Sequence, residues 1–328
     1  MAKVLVVGGA GYIGSHMVKR LRQEGEEVIV LDNLSSGYRE AIGDAMLIEG
    51  PAGDRKVLRE LFGTYKIDMV MHFASFIEVG ESVRSPAKYY RNNVASTLEL
   101  LHAMTAVGVN RFVFSSSAAV YGDAEPEPIT EEHPCAPVNP YGRTKWMVEQ
   151  VLQDYDVAYG LKAMSLRYFN AAGADPDGKL GERHDPETHL IPLLLQAASG
   201  RRESIQVYGR DYPTPDGTCI RDYVHVCDLC EAHLLAMRNL LEGGESRTYN
   251  LGNGNGFSVS EVIAAARRVT GAAIKVEDAE RRPGDPPMLV ADSSKIRREL
   301  GWKPHYAELE TIISHAWAWE KRSTGSVL

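Results

Sequence analysis

The sequence predicts an α/β protein in which a doubly wound parallel sheet is joined to a smaller mixed α/β domain. Three observations carry that expectation. In the first half, continuous apolar runs alternate with longer segments of helical periodicity, the pattern of strands buried on both faces. A loop, Gly8-Gly9-Ala10-Gly11-Tyr12-Ile13-Gly14, follows the first run at once and opens a helical pattern. Beyond about residue 170 the chain turns irregular, beginning with Ala174-Asp175-Pro176-Asp177-Gly178-Lys179-Leu180-Gly181 and keeping frequent proline and glycine up to Gly217.

Taken in order, the apolar runs place strands over 3–8, 27–32, 44–49, 68–73, 111–117 and 161–168. Helical patterns fill 12–25, 54–64, 85–107 and 139–160, and return near 190–199, 228–242, 258–270 and 307–321. This divides the 328 residues into a first domain over 1–169 and a second over 170–328, with a return to the first around 215–235. The length suits one large domain or two of moderate size. No internal repeat or low-complexity segment stands out.

Composition narrows the function. With 44% hydrophobic and 24% charged residues and a net charge of −8, neither a nucleic-acid surface nor a polybasic membrane patch is expected. An anionic substrate would need locally placed arginines. No apolar run is long enough to span a bilayer. Lys3 leads straight into Val4-Leu5-Val6-Val7, which leaves no room for a signal peptide. Four cysteines make no disulfide framework, so a reduced, cytoplasmic protein is expected.

His225, Cys227, Cys230 and His233 have the residue types of zinc ligands. However, Asp228 reads as the cap of a helix entered from the strand-like Tyr223-Val224-His225-Val226. The four side chains then diverge, and no metal site is expected.

Gly8, Gly11 and Gly14 have the chemistry of a dinucleotide loop: a tight turn, a close approach of backbone N–H groups to a pyrophosphate, and helix packing on strand. The spacing is GxxGxxG rather than GxGxxG. Asp32 ends the second strand, where a carboxylate accepts hydrogen bonds from the adenosine ribose and repels a 2′-phosphate. No arginine follows within six residues, so the cofactor expected is NAD rather than NADP. A second cluster, Gly252-Asn253-Gly254-Asn255-Gly256, has Phe257 where a last glycine would stand. Ser258 and Glu261 read as the capping box of the next helix, and the cluster as a structural turn.

Pro140-Tyr141-Gly142-Arg143-Thr144-Lys145 opens a helix, with proline in its first turn. Tyr141 and Lys145, four apart, share a face. Ser115-Ser116-Ser117 ends the fifth strand, where the active sites of such sheets lie. A tyrosine acts as a base near neutrality only if its proton is released about a thousandfold more easily, roughly 4 kcal/mol. One ammonium at about 5 Å supplies on the order of 3 kcal/mol. Lys145 alone is therefore marginal; together with a positive nicotinamide ring it suffices. Ser117 would hydrogen-bond the reacting hydroxyl and relay its proton.

These residues resemble the extended short-chain dehydrogenase/reductase family, and within it the enzymes that invert C4 of UDP-hexoses. The matching stretches are GGAGYIGSH, LDNLSSG, HFASFIEVGESV, NNV, FSSSAAVYGD, PYGRTK, RYFNAAGA, HLIP, DGTCIRDYVHV and RRPGD, spread from residue 8 to 285. The resemblance implies a Rossmann domain holding NAD through Tyr12, Ile13, Asp32, Asn33, Phe73, Ala74, Asn92, Tyr141, Lys145 and Phe169. It gives the chemistry to Ser117 and Tyr141, with Lys145 beside them. It gives a nucleotide sugar to Asn170, His189, Leu190, Tyr208, Arg221, Arg282 and Asp285. The planar forks of the arginines suit a diphosphate. The implied reaction is the interconversion of UDP-glucose and UDP-galactose through a 4-keto intermediate, in a homodimer formed by the 85–107 and 139–160 helices.

Three positions depart from the family pattern. Gly50-Pro51-Ala52 stands where members usually carry an acidic residue near the adenine, and Ile77 replaces a lysine that some place near the nicotinamide. Leu289 takes the place of a bulky tyrosine beside the sugar's 2-substituent, which leaves room for N-acetylated UDP-GlcNAc and UDP-GalNAc. A 4,6-dehydratase of a nucleotide sugar shares the first step but needs an extra acid, and Ala118 and Ala119 follow Ser117 instead. A non-catalytic NAD-binding regulator would be expected to lose the Tyr/Lys pair.

Overall fold

The computed structural model describes residues 1–123, 128–282, 285–323 and 325. The Pro283 and Gly284 of the RRPGD stretch lie outside them. The strands are β1 (Lys3–Val7), β2 (Glu27–Asp32), β3 (Met46–Glu49), β4 (Met69–His72), β5 (Arg111–Ser117), β6 (Lys162–Tyr168), β7 (Asn170–Ala172), β8 (Ile205–Tyr208), β9 (Ile220–His225), β10 (Arg247–Leu251), β11 (Gly256–Ser258), β12 (Val276–Ala279) and β13 (Met288–Leu289). The α-helices are α1 (Tyr12–Gln23), α2 (Arg55–Thr64), α3 (Val79–Arg84), α4 (Pro86–Tyr89), α5 (Ser96–Ala106), α6 (Pro140–Tyr159), α7 (Leu190–Ala198), α8 (Val226–Leu241), α9 (Val259–Thr270), α10 (Ser294–Leu300) and α11 (Leu309–Ser323).

Two compact units are present: Met1–Gly122 with Pro134–Arg167 and Cys230–Tyr249, and Asp123–His133 with Tyr168–Leu229 and Asn250–Leu328. The sequence places the division at 169/170, with a return around 215–235.

In the first unit, seven strands run in the order β10-β6-β5-β4-β1-β2-β3. The pairs β1/β2, β1/β4, β2/β3 and β4/β5 are parallel. Val4, Leu5, Val6 and Val7 are all buried, as expected of a strand covered on both faces. Because β1 neighbours both β2 and β4, the connections diverge on either side of it. That switch point is where ligands bind in open α/β sheets. The core on one face joins Leu5, Val7 and Val70 to Leu58, Leu101 and Leu152 from α2, α5 and α6.

The expected helix over 85–107 is interrupted. It is preceded by α3, opens as α4 and passes through a π-helical stretch, Tyr90–Ala95, before α5. Pro86 starts a helix after the non-helical Ser85, because proline disfavours helical backbone in the residue before it. The widened turn is where Asn92 and Asn93 sit, and π-turns commonly mark functional positions.

In the second unit, β9 is central, paired with β11 antiparallel and with β7 and β13 parallel. A β8/β12 pair stands apart. Helices α7, α9 and α11 share an apolar core that includes Leu194, Ala265 and Ile312. Ser258 and Glu261 form the expected capping box of α9. Asp228 is not a cap, however: α8 already begins at Val226. The Asp228 carboxylate instead accepts the backbone N–H groups of His305 and Tyr306. No helix among the described residues is long and apolar enough to cross a membrane.

Candidate active site

The glycine loop has two kinds of glycine. A Cβ on Gly8, whose φ is +78°, would lie 2.4 Å from the Ala74 nitrogen, and one on Gly14 would lie 2.1 Å from the Gly8 oxygen. Both are required by the protein's own packing. At Gly11 the nearest atom to such a Cβ is 3.5 Å away, so the chain itself leaves room there. Gly11 caps α1, with neither a side-chain cap nor an acidic residue in the first turn. Its outward N–H groups therefore suit a pyrophosphate, and the loop fits a dinucleotide.

The surrounding residues fit as well. Asp32 is buried and accepts the N–H groups of Ala10 (2.9 Å) and Leu34 (2.8 Å). Each carboxylate oxygen keeps a lone pair for a ribose hydroxyl. The exposed Asn33 accepts the Ser35 N–H. Phe73 and Ala74 both donate to the Val7 carbonyl, which seats them against Gly8 at the switch point. Tyr12 and Ile13 form the first turn of α1. At the departing positions, Gly50 donates to the Asp32 carbonyl and Ile77 is exposed. In the second unit, the half-buried Phe169 donates its N–H to Leu251.

The reactive group assembles at the end of β5. Asn139 caps α6 by accepting the Gly142 N–H at 2.8 Å. A Cβ on Gly142 would lie 2.3 Å from the Ala119 carbonyl, so glycine lets α6 press against the turn after Ser117. Tyr141 is thereby set beside Ser117, whose side chain acts on the phenol. Burial pushes the Tyr141 phenol above its ordinary value, and Ser117 opposes that. Lys145 lies on the same face, 5.8 Å from the Tyr141 ring centre. Its ammonium donates to the Ser115 carbonyl at 2.8 Å, and burial pushes it down to about 7. In the protein alone, burial outweighs the stabilisation beside Tyr141, and the phenol stays above its ordinary value.

The second unit arranges its expected residues in pairs. Arg221 on β9 is ion-paired with Asp285, and the Arg282 guanidinium lies 3.9 Å from the Tyr208 ring centre. Asn170 donates to the Asp222 carbonyl. His189 and Leu190 start α7, with His189 bound to Glu182 and Glu187.

Residues 4–252 match the NAD dependent epimerase/dehydratase family. The chain belongs to that family. It is similar to the UDP-glucose 4-epimerase of Halalkalibacterium halodurans, 52% identical over 97% of this chain and 95% of that protein. Among solved structures, it is similar to UDP-glucose 4-epimerase from Brucella ovis in complex with NAD, with a TM-score of 0.94 and 50% identity, covering 97% and 98% of the two chains. It also resembles the UDP-Glc/GlcNAc 4-epimerase of Campylobacter jejuni, with a TM-score of 0.86 and 46% identity over 98% and 100%.

This member of the NAD dependent epimerase/dehydratase family carries support that the sequence reading missed. Asn93 exchanges two hydrogen bonds with the Phe76 backbone and donates to Thr144, tying the 73–76 segment to the helix of Tyr141 and Lys145. Glu149, one turn beyond Lys145, binds Arg167 and the Ser116 hydroxyl, and Arg167 also donates to the Tyr121 hydroxyl. Asp222 accepts three backbone N–H groups, from Asn253, Gly254 and Ala291. Burial nevertheless pushes its carboxyl up to about 6. The i, i+4 spacing from Lys145 was an available signal for Glu149; none pointed to Asp222.

Proposed function

We propose that the chain interconverts UDP-glucose and UDP-galactose by inverting C4 of the sugar through a 4-keto intermediate. The observation that carries this reading is Tyr141 beside Ser117 with Lys145 on the same face, in a unit whose glycine loop fits a dinucleotide. NAD, when bound, supplies the acceptor and donor for the C4 hydrogen.

Tyr141 takes the proton of the C4 hydroxyl and later returns it, with Ser117 bridging the two oxygens. Lys145, at about 7, sits near half-protonation at neutral pH and stabilises the phenolate whenever it is charged. In the second unit Arg221 and Arg282 suit the diphosphate, and Tyr208, Asn170, His189, Leu190 and Asp285 complete the nucleotide-sugar set. A handle held by its diphosphate lets the 4-keto sugar turn over without escaping.

A 4,6-dehydratase would need an acid beside Ser117, where Ala118 is buried and Ala119 packs under Gly142. Incubation with UDP-galactose, with products resolved by NMR, separates the two. UDP-glucose supports epimerisation; a 4-keto-6-deoxy sugar, or no product after NAD is supplied, overturns it.

A wider substrate range rests on Leu289, which pairs with Arg221 in the β13/β9 register and takes less space than a tyrosine. UDP-GalNAc turnover tests it, and none rejects it. The reading also includes cytoplasmic residence and a homodimer. The exposed Leu98 on α5 and Met147, Val157 and Tyr159 on α6 support a partner on those helices. Light scattering showing a monomer would remove the homodimer.

A further inference from the structure

The segment that leads into α7 gathers Glu182, His184, Glu187 and His189, each offering one ligand atom, with all four atoms within 4.8 Å of one another. Among the described residues, it is the group of His, Cys, Asp and Glu with metal-ligand geometry. The His225/Cys227/Cys230/His233 set considered in the sequence does not form one. We propose that these four side chains are a binding site for a single tetrahedral divalent cation of the zinc class. The site shares His189 with the nucleotide-sugar set proposed above, while Glu182, His184 and Glu187 belong to it alone.

The distances support it. His184 Nδ1 lies 3.2 Å from a Glu182 oxygen and 3.6 Å from a Glu187 oxygen; His189 Nδ1 lies 2.9 Å from an oxygen of each. A tetrahedral zinc with bonds of about 2.0–2.1 Å holds its ligands about 3.3–3.4 Å apart, within the span of these four separations. Two imidazole nitrogens and two carboxylates suit zinc, whereas magnesium and calcium take all-oxygen shells of six or more.

Charge points the same way. The cluster holds two carboxylates, and one dication bound between them and two neutral imidazoles balances their charge at its centre. The two histidine rings stand with centres 5.3 Å apart.

The ligands are also held in place. Glu187 accepts the N–H groups of Thr188 and His189, and the Trp319 indole donates to the Glu182 carbonyl at 3.0 Å. The Trp319 ring packs on Gly181, where a Cβ would lie 2.2 Å from it. The Glu182 and Glu187 side chains are only 7% and 5% exposed, while His189 at 43% leaves a path for the ion. A bound ion would brace the start of α7 against α11.

The full-length protein, treated with a chelator and dialysed, should be titrated with zinc chloride and with cobalt chloride. A single saturable equivalent per chain is expected, with cobalt giving visible bands of tetrahedral intensity that zinc abolishes. His184→Gln and Glu187→Gln should each weaken zinc binding by at least about 100-fold. X-ray absorption of the wild-type zinc adduct should show nitrogen and oxygen ligands, a result that stands even if a variant does not fold. No saturable binding, binding unchanged in both variants, or sulfur in the ligand shell would overturn the proposal.

Discussion

The two units handle charge in opposite ways. In the first, the groups proposed for chemistry are desolvated and have few ionic partners: Tyr141 stands beside a serine, and Lys145 donates to a carbonyl. A buried ion pair, Glu149–Arg167, lies one helical turn further on. In the second unit, the groups proposed for binding are matched with opposite charge or with a ring, as in Arg221–Asp285 and Arg282–Tyr208. The difference reflects the task. A group that must change protonation is best left without a fixed partner, so that a shift of its environment moves its pKa. Groups that bind a diphosphate gain from being oriented in advance while keeping a constant charge.

Substitutions can break this contrast, the most damaging first. Tyr141→Phe should lower kcat by about a thousandfold or more with little change in KM, since it removes the proton-transfer group and keeps the ring; steady-state kinetics with UDP-galactose checks it. Glu149→Gln should act on stability instead. Leaving Arg167 buried without its carboxylate costs about 3–5 kcal/mol, to be read from urea unfolding. Arg221→Ala should raise KM for the UDP-sugar about 30-fold, or ~2 kcal/mol, and spare kcat. If Arg221→Ala instead lowered kcat alone, the division between reacting and binding groups would fail.

A further effect is a slope with pH. Lys145 titrates at about 7 in the fold against 10.5 ordinarily. Between these values the unfolded chain binds the proton and the folded chain does not. Stability relative to Lys145→Met should therefore rise from pH 7 to about 10.5 and be flat below 7. Thermal melts of cofactor-free protein across that range test it.

Much of the first unit could be read from sequence because its signals are local. A continuous apolar run such as Val4–Val7 can be satisfied only between two helical layers, and the expected strands match β1 to β6 to within a residue or two. The second unit's sheet was hidden, since strands of two to four residues such as β7, β11 and β13 are too short to show a period. Asp228 was misread because its partners, His305 and Tyr306, lie 77 and 78 residues away. The site followed the same rule. Tyr141 and Lys145 are four apart and could be paired by counting, whereas the need for glycine at Gly142 comes from its close approach to Ala119 in the fold. Asn93 and Asp222 act through backbone groups that only the folded chain brings to them. The metal-type cluster was not legible because Glu182, His184, Glu187 and His189 contain no cysteine and only the fold brings their ligand atoms within 4.8 Å of one another.

The most direct measurement uses UDP-galactose carrying deuterium at C4, mixed with the purified protein first without and then with added NAD. UDP-glucose that keeps the deuterium at C4, after removal and return of the same hydrogen, is the result expected. No UDP-glucose even with NAD supplied, or UDP-glucose with solvent hydrogen at C4, would contradict the account.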